Sequence, residues 1–315
     1  MKDAKLKPST TISQQVALLR SRGMVIDEPL ARQWLSNVSY YRLSAYWYPA
    51  RVVEGGVRTD TLRSDTTFVS VAELYEADRK LRTLVHDGME RIEVALRVRV
   101  GEILCAEDPL RYRCPDFYRD EFDLSRWLST ADKRVARATR HNEAIKHYRD
   151  KYGGRYPFWV LADVLDLSDT SRLYEGLSRS VQTEIAQGLG FNLDLGSLTR
   201  SQRRKVQTSP PLVRWLEQLT VVRNTCAHHG RLWNKSFTPA PTAALRTVSG
   251  LESLPVGQSE RIYGVLVLMS HLLRVVSPGT TWPEKAAGLV RDSFITNPLV
   301  MPGSLGIPDG WSGRF

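Results

Sequence analysis

Apolar residues recur at steps of three and four between residues 71 and 104. They are Val71, Leu74, Tyr75, Leu81, Leu84, Val85, Met89, Ile92, Leu96, Val100 and Ile103. This spacing places them along one face of an α-helix. The pattern therefore predicts one long amphipathic helix in this part of the chain.

Shorter stretches with helical spacing lie on both sides of that segment. We predict them at residues 12–22, 28–37, 124–151, 157–178, 181–190 and 260–276. No region rich in strands and no internal repeat is evident, so the predicted fold is an all-α helical bundle. Residues 51–66 contain Gly55-Gly56 and are expected to form a loop or a hairpin.

The pattern also suggests three parts of the chain. Residues 1–66 form a helical N-terminal extension with an aromatic cluster at 40–48, which Pro49 ends. Residues 67–277 form the main helical domain. Residues 278–315 are punctuated by Pro and Gly and are expected to be a tail.

A further helix is predicted after Ser209-Pro210-Pro211, because Ser can cap a helix and Pro suits its first turn. Its apolar face consists of Leu212, Trp215, Leu216, Leu219, Val222 and Cys226. Gly230 is the expected stop. Arg223, Asn224 and His228 then stand at the end of this helix.

Composition and charge narrow the class of protein. The chain has 315 residues, of which 42% are hydrophobic and 25% charged, as in an ordinary globular protein. The formal net charge of +10 favours a polyanionic partner. Charge alone does not distinguish RNA, DNA and a membrane surface.

Cysteine usage and apolar runs point to the cytoplasm. Cys105, Cys114 and Cys226 have no paired spacing, so neither disulfides nor a zinc site are expected. Residues 1–5 lack the apolar core of a signal peptide. The longest apolar run, 262–276, is too short to span a bilayer, and no membrane association is expected.

The string from Arg223 to Asn234, Arg-Asn-x-Cys-Ala-His-His-Gly-Arg-Leu-Trp-Asn, resembles the signature segment of the Abi-like abortive-infection family of phage-resistance proteins. That family belongs to the HEPN group. Other segments agree in the same order: 7–8, 14–27, Tyr40-Tyr41-Arg42-Leu43-Ser44-x-Tyr46-Trp47, 75–82, 92–97, Tyr156-Pro157-x-Trp159 and 171–174. The sequence departs from the family pattern at Asp163, usually Glu, and at Ser168, usually Gly.

The resemblance implies a HEPN-type bundle and a homodimer that brings two copies of the motif together. It also implies a phage-defence effector with metal-independent endoribonuclease activity, no cofactor, and RNA as substrate and as a small regulatory partner. Residues implied in catalysis are Arg223, Asn224, His228 and His229.

These residue types suit RNA cleavage by the adjacent 2′-hydroxyl, which leaves a 2′,3′-cyclic phosphate and a 5′-hydroxyl. His228 can accept or donate the proton, because imidazole titrates near neutral pH. Arg223 can stabilise charge on the phosphate oxygens, and Asn224 can orient the ring or contact the ribose. The second histidine is either His229 or His228 of the partner subunit.

Helix geometry separates the two central groups. Arg223 and His228 lie about 140° apart on an ideal helix. Arg223 is then expected on the apolar side, in a dimer interface or paired with Glu93. Arg97 lies four residues after Glu93 and is expected to pair with it as structural support. Either the helix distorts near its end or the Arg side chain wraps round to the phosphate.

Two further groups are candidates for RNA contacts. The first is the basic loop with Arg200, Arg203, Arg204 and Lys205 ahead of the motif helix, and the second is Arg231 with the aromatic cluster residues Tyr41, Arg42 and Trp47. The cluster can instead be core. A second basic stretch, 133–151, is explained almost as well by a solvated helix face.

Two other functions compete. One is a non-catalytic RNA-binding protein that keeps the HEPN fold. The other is a group-transfer enzyme, which is disfavoured because the sequence has neither a phosphate-cradling glycine loop nor a spaced acidic pair for a metal.

Overall fold

The computed structural model describes residues 8–315. Within them the chain forms α-helices joined by turns and by longer loops, with two small two-stranded antiparallel sheets. The predicted all-α class is confirmed. Our expectation about a signal peptide at residues 1–5 concerns positions outside the described residues.

The N-terminal part consists of three helices and a hairpin. The helices are α1 (Ile12–Ser21), α2 (Glu28–Val38) and α3 (Tyr40–Trp47), and the strands are β1 (Arg51–Glu54) and β2 (Val57–Leu62). Gly55 and Gly56 have φ of 56° and 80° and form the tight turn between the strands. The hairpin, one of the two alternatives for 51–66, is therefore the observed one.

The predicted long helix is α4 (Phe68–Leu104), which is 37 residues long and therefore spans about 55 Å. The Thr67 hydroxyl caps its start by accepting a hydrogen bond from the Ser70 amide at 3.0 Å. Its buried residues follow the predicted periodicity. Helices before and after it in the chain pack against it, so α4 is the central element of the core.

The middle of the chain contains more and shorter helices than predicted. They are α5 (Leu124–Ala138), α6 (Glu143–Tyr152), α7 (Phe158–Ala162), α8 (Leu167–Gly176), α9 (Arg179–Gly188) and α10 (Arg200–Thr208). The prediction of single helices at 124–151 and 157–178 was wrong because local capping starts a new helix inside each. Asn142 caps α6 by accepting from the Ile145 amide, and Asp169 accepts from the Asp166 amide at the start of α8.

The motif helix is α11 (Pro211–Ala227), and it is followed by a loop that contains β3 (Ala240–Pro241) and β4 (Gln258–Ser259). Ser209 does not cap it, contrary to our prediction, because Ser209 closes α10 and Pro210 precedes α11. The buried Gln218 amide donates to the carbonyls of Thr238 and Ser259 and so fastens the loop to α11.

The C-terminal residues pack against the core. After α12 (Ile262–Val276) the chain forms α13 (Trp282–Leu289), a π-helical segment (Val290–Ile295) and α14 (Pro302–Leu305). The Trp282 indole is buried and donates to the Leu84 carbonyl on α4 at 2.7 Å. Residues 278–315, which we expected to be a Pro- and Gly-punctuated tail, contain short helices whose apolar residues complete the face of α4. No helix within residues 8–315 combines the length and apolarity needed to cross a bilayer.

Candidate active site at the end of helix α11

Helix α11 ends in a Schellman motif built from the two histidines. His228 is the C-cap, and His229 follows in the left-handed conformation with φ of 56°. The amide of Gly230 donates to the Thr225 carbonyl at 2.7 Å, and the amide of His229 donates to the Cys226 carbonyl at 3.0 Å. We expected Gly230 to supply the helix stop, but the left-handed position is occupied by His229.

The polar side chains of the motif are accessible. Asn224, His228 and His229 are all exposed. Asn224 and His228 are four residues apart and therefore lie one above the other on the same face of α11. Both side chains are therefore open to solvent.

Arg223 lies between a buried carboxylate and this exposed face. Its Nε is 3.8 Å from Oε2 of Glu93, and one terminal nitrogen donates to Oδ1 of Asn224 at 3.3 Å. Its side chain is 31% exposed. Because α11 stays helical through Ala227, the distortion that we considered is not observed; the side chain itself bends toward Asn224.

Glu93 binds two arginines at once. Its Oε1 accepts from Arg97 at 2.6 Å, and Arg97 also donates to the Leu165 carbonyl at 2.6 Å. The Glu93 side chain is only 10% exposed. Glu93 and Arg97 thus form a largely buried support that fixes one side of the Arg223 guanidinium.

The segment after the histidines is fastened to α4 by Asp78. This carboxylate is fully buried and accepts hydrogen bonds from the amides of Leu232 (3.1 Å) and Trp233 (2.8 Å). It also accepts from the Tyr46 hydroxyl at 2.7 Å and from Arg82 at 2.5 Å. Burial and the neighbouring Asp78 raise the pKa of Tyr46 above its usual range, so the hydroxyl stays a donor.

The aromatic cluster at 40–48 is divided between core and surface. Trp47 is only 1% exposed, so our inclusion of its ring among the RNA contacts was wrong. Tyr41 is 89% exposed, and the exposed Arg42 donates to the His229 carbonyl at 2.6 Å. Helix α3 therefore brings Tyr41 and Arg42 to the candidate site.

Arg231 is half-buried. Its guanidinium donates to the carbonyls of Ala45 and Asn234, and burial lowers its pKa. These bonds tie α3 to the motif segment. The side chain thus serves packing, and our assignment of Arg231 to RNA contacts is not supported by its position.

The basic residues Arg200, Arg203, Arg204 and Lys205 are exposed on α10, which we had expected to be a loop. Thr199 and Gln202 form a capping box that starts this helix. Its C-terminal end joins the start of α11, a helix of 17 residues, so His228 lies about 25 Å away along α11. These cations are therefore not part of the immediate site.

A groove that we did not predict lies along the part of α11 that precedes the motif. It has a volume of about 580 Å³ and lies between α5, α8 and α11. Its wall includes Arg126, Arg172, Arg214, Glu217 and Val221. The positions 217, 221, 224 and 228 share one face of α11, and that spacing is the sequence signal that could have revealed it.

Neither a reactive cysteine nor a cluster of metal ligands accompanies these side chains in the described residues. Burial raises the pKa of the Cys226 thiol to about 12, so this cysteine is not a thiolate nucleophile at neutral pH. In the part of the chain from residue 8 onward, no group of three or more His, Cys, Asp or Glu side chains is arranged to hold a metal ion.

The structure is that of an all-α protein in which exposed Asn224 and His228 and half-buried Arg223 lie at the end of one helix. A comparison with protein-family models matches residues 33–234 to the Abi-like protein family, and the chain belongs to this family. The matched region runs from α2 to the segment held by Asp78. Membership in the family suggests a role in phage defence. Searches of curated proteins and of solved structures found no match.

Proposed function

We propose that this protein is a metal-independent HEPN-type endoribonuclease that acts as a phage-defence effector. The observation that carries the proposal is the exposure of His228 and Asn224 at the end of α11, with the Arg223 guanidinium bent toward Asn224. Family membership supports the defence role.

The proposed reaction needs no group beyond these side chains and the RNA. A histidine takes the proton of the 2′-hydroxyl, whose oxygen forms a bond to the adjacent phosphorus. The bond to the 5′-oxygen breaks, and that oxygen receives a proton from a second histidine. The products are a 2′,3′-cyclic phosphate and a 5′-hydroxyl, while Arg223 stabilises the charge that develops on the phosphate.

Two histidines are required, and the chain offers two sources. His229 is adjacent to His228 but is turned by its left-handed backbone. We propose instead that a homodimer places His228 of the partner subunit across the scissile phosphate. A small RNA bound to the exposed cations of α10 would restrain the enzyme until infection.

The test is incubation of labelled single-stranded RNA with purified protein in EDTA, with analysis of the chemical ends. We expect cyclic-phosphate ends from the wild-type protein and none from His228→Ala. His141→Ala removes another exposed imidazole and should cleave like the wild type. Equal cleavage by His228→Ala would exclude His228 from the reaction.

The second candidate is an RNA-binding protein without catalysis. The ion pair between Arg223 and Glu93 favours it, because that pair occupies part of the guanidinium. It predicts RNA binding with no cleavage products from the wild-type protein.

A further inference from the structure

The charge available to a phosphate from Arg223 is reduced by its surroundings. Its Nε lies 3.8 Å from the Glu93 carboxylate, and a terminal nitrogen is bonded to Asn224. The Glu93 carboxylate, which Arg97 also contacts at 2.6 Å, offsets part of the positive potential that a phosphate would experience from Arg223. A second cation next to His228 would therefore add to the stabilisation that Arg223 offers.

Arg42 is a cation on α3 whose side chain reaches the histidine loop. It donates from one terminal nitrogen to the main-chain oxygen of His229 at 2.6 Å. It forms no ion pair with any residue from 8 to 315, and it is exposed. Since a guanidinium carries five N–H donors, the bond to His229 leaves donors for a second partner.

The backbone that carries Arg42 is firmly held. In α3, Leu43 and Trp47 are buried, Tyr46 donates to Asp78 at 2.7 Å, and the Ala45 carbonyl accepts from Arg231. The Arg42 side chain therefore extends from a rigid helix to the histidine loop. A held backbone and a guanidinium already positioned by its bond to the His229 carbonyl suit transition-state stabilisation, because little reorganisation is needed during the reaction.

We propose that Arg42 is a catalytic residue that binds the non-bridging oxygens of the scissile phosphate and stabilises their charge as the phosphorane forms. This inference rests on the proposed nuclease function. In this arrangement Arg223 also orients Asn224, and Arg42 adds a positive charge that no carboxylate pairs with. Arg42 stays protonated throughout, so the proton balance between the histidines is unchanged.

Two substitutions separate catalysis from loop anchoring. Arg42→Gln loses the charge and keeps a shorter side-chain amide donor, whereas Arg42→Lys keeps the charge. The control is Lys80→Gln, which removes one exposed charge from α4. We expect Arg42→Gln to lower kcat by about 100-fold or more with a smaller change in KM, as for the loss of one transition-state donor. Arg42→Lys should retain more activity, and Lys80→Gln should stay within about twofold.

A phosphorothioate at the scissile position supplies the second readout. The wild-type enzyme should discriminate between the two sulfur diastereomers, and Arg42→Gln should lose much of that discrimination. Wild-type kcat in Arg42→Gln, or equal losses in both variants together with a lower Tm, would overturn the role.

The outcomes also separate this inference from the proposed function. If the wild type cleaves, His228→Ala does not, and Arg42→Gln cleaves normally, only the role of Arg42 fails. If the wild type does not cleave, the nuclease function fails. The phosphate contact is then tested by affinity for 2′-deoxy-substituted RNA. Arg42→Gln should weaken that affinity about tenfold relative to Lys80→Gln. Equal affinities of the two variants would reject a phosphate contact by Arg42.

Discussion

The buried carboxylate of Asp78 accepts a hydrogen bond of 2.8 Å from the backbone amide of Trp233. The two residues are 155 positions apart in the chain. Trp233 lies four residues after His229, so this bond and its neighbour from Leu232 hold the segment that leaves the candidate site. The geometry of the histidine loop thus depends on α4 as well as on α11.

Replacement of Asp78 by Asn should therefore be costly. The Asn amide group would face donors that now point at a carboxylate, and Arg82 would lose its buried partner. We expect a loss of about 3 kcal/mol or more in the free energy of unfolding, measured by denaturant titration. The matched control is Asp87→Asn, which breaks the ion pair between Asp87 and Arg91 on the same helix. The Asp87 side chain is 59% exposed. That variant should lose less than about 1 kcal/mol, and similar losses in both would contradict the assigned role of Asp78.

His229 stores backbone strain that Gly would relieve. Its φ of 56° lies in the left-handed region, where side chains with a Cβ are disfavoured. We expect His229→Gly to raise the free energy of unfolding by about 1 kcal/mol. His228→Gly is the control, because His228 has φ of −93° and Gly there should destabilise by about 0.5 to 1 kcal/mol. Destabilisation by His229→Gly would show that its side chain makes contacts that outweigh the strain.

Stability should depend on pH through His271. Its Nε2 lies 3.2 Å from the Gly190 carbonyl, and burial lowers its pKa below 6.5. Since the unfolded chain binds this proton more readily than the folded one, stability should fall as the pH drops through about 6.5. The measurement is the free energy of unfolding at pH 7.5 and 5.5.

Between pH 7.5 and 5.5 the free energy of unfolding should fall less in His271→Gln than in the wild type. His141→Gln, which changes an exposed imidazole, should leave the wild-type difference intact. An unchanged pH difference in His271→Gln would exclude His271 as its source.

The parts of the fold that follow from local pattern were predictable. The apolar spacing of residues 71–104 predicted α4, because a helix with one buried face requires it. Helix α10 was missed because it lacks an apolar face; the capping pair Thr199 and Gln202 was its signal.

The candidate site was only partly predictable. The motif string identified Arg223, Asn224 and His228, and the pair with Glu93 was among the expected alternatives. The bond from Arg42 to the His229 carbonyl joins residues 187 positions apart, which no local spacing encodes. The burial of Trp47 likewise depends on helices distant in the chain, so its aromatic character alone did not separate core from surface.

The central claim is that the His228 imidazole transfers a proton during RNA cleavage. Chemical rescue tests it most directly, because an exposed His228→Gly site leaves room for free imidazole to enter. We predict that His228→Gly does not cleave single-stranded RNA in EDTA and that added imidazole restores cyclic-phosphate products in a concentration-dependent way. Full cleavage by His228→Gly without imidazole, or an inactive folded variant that imidazole does not rescue, would contradict the claim.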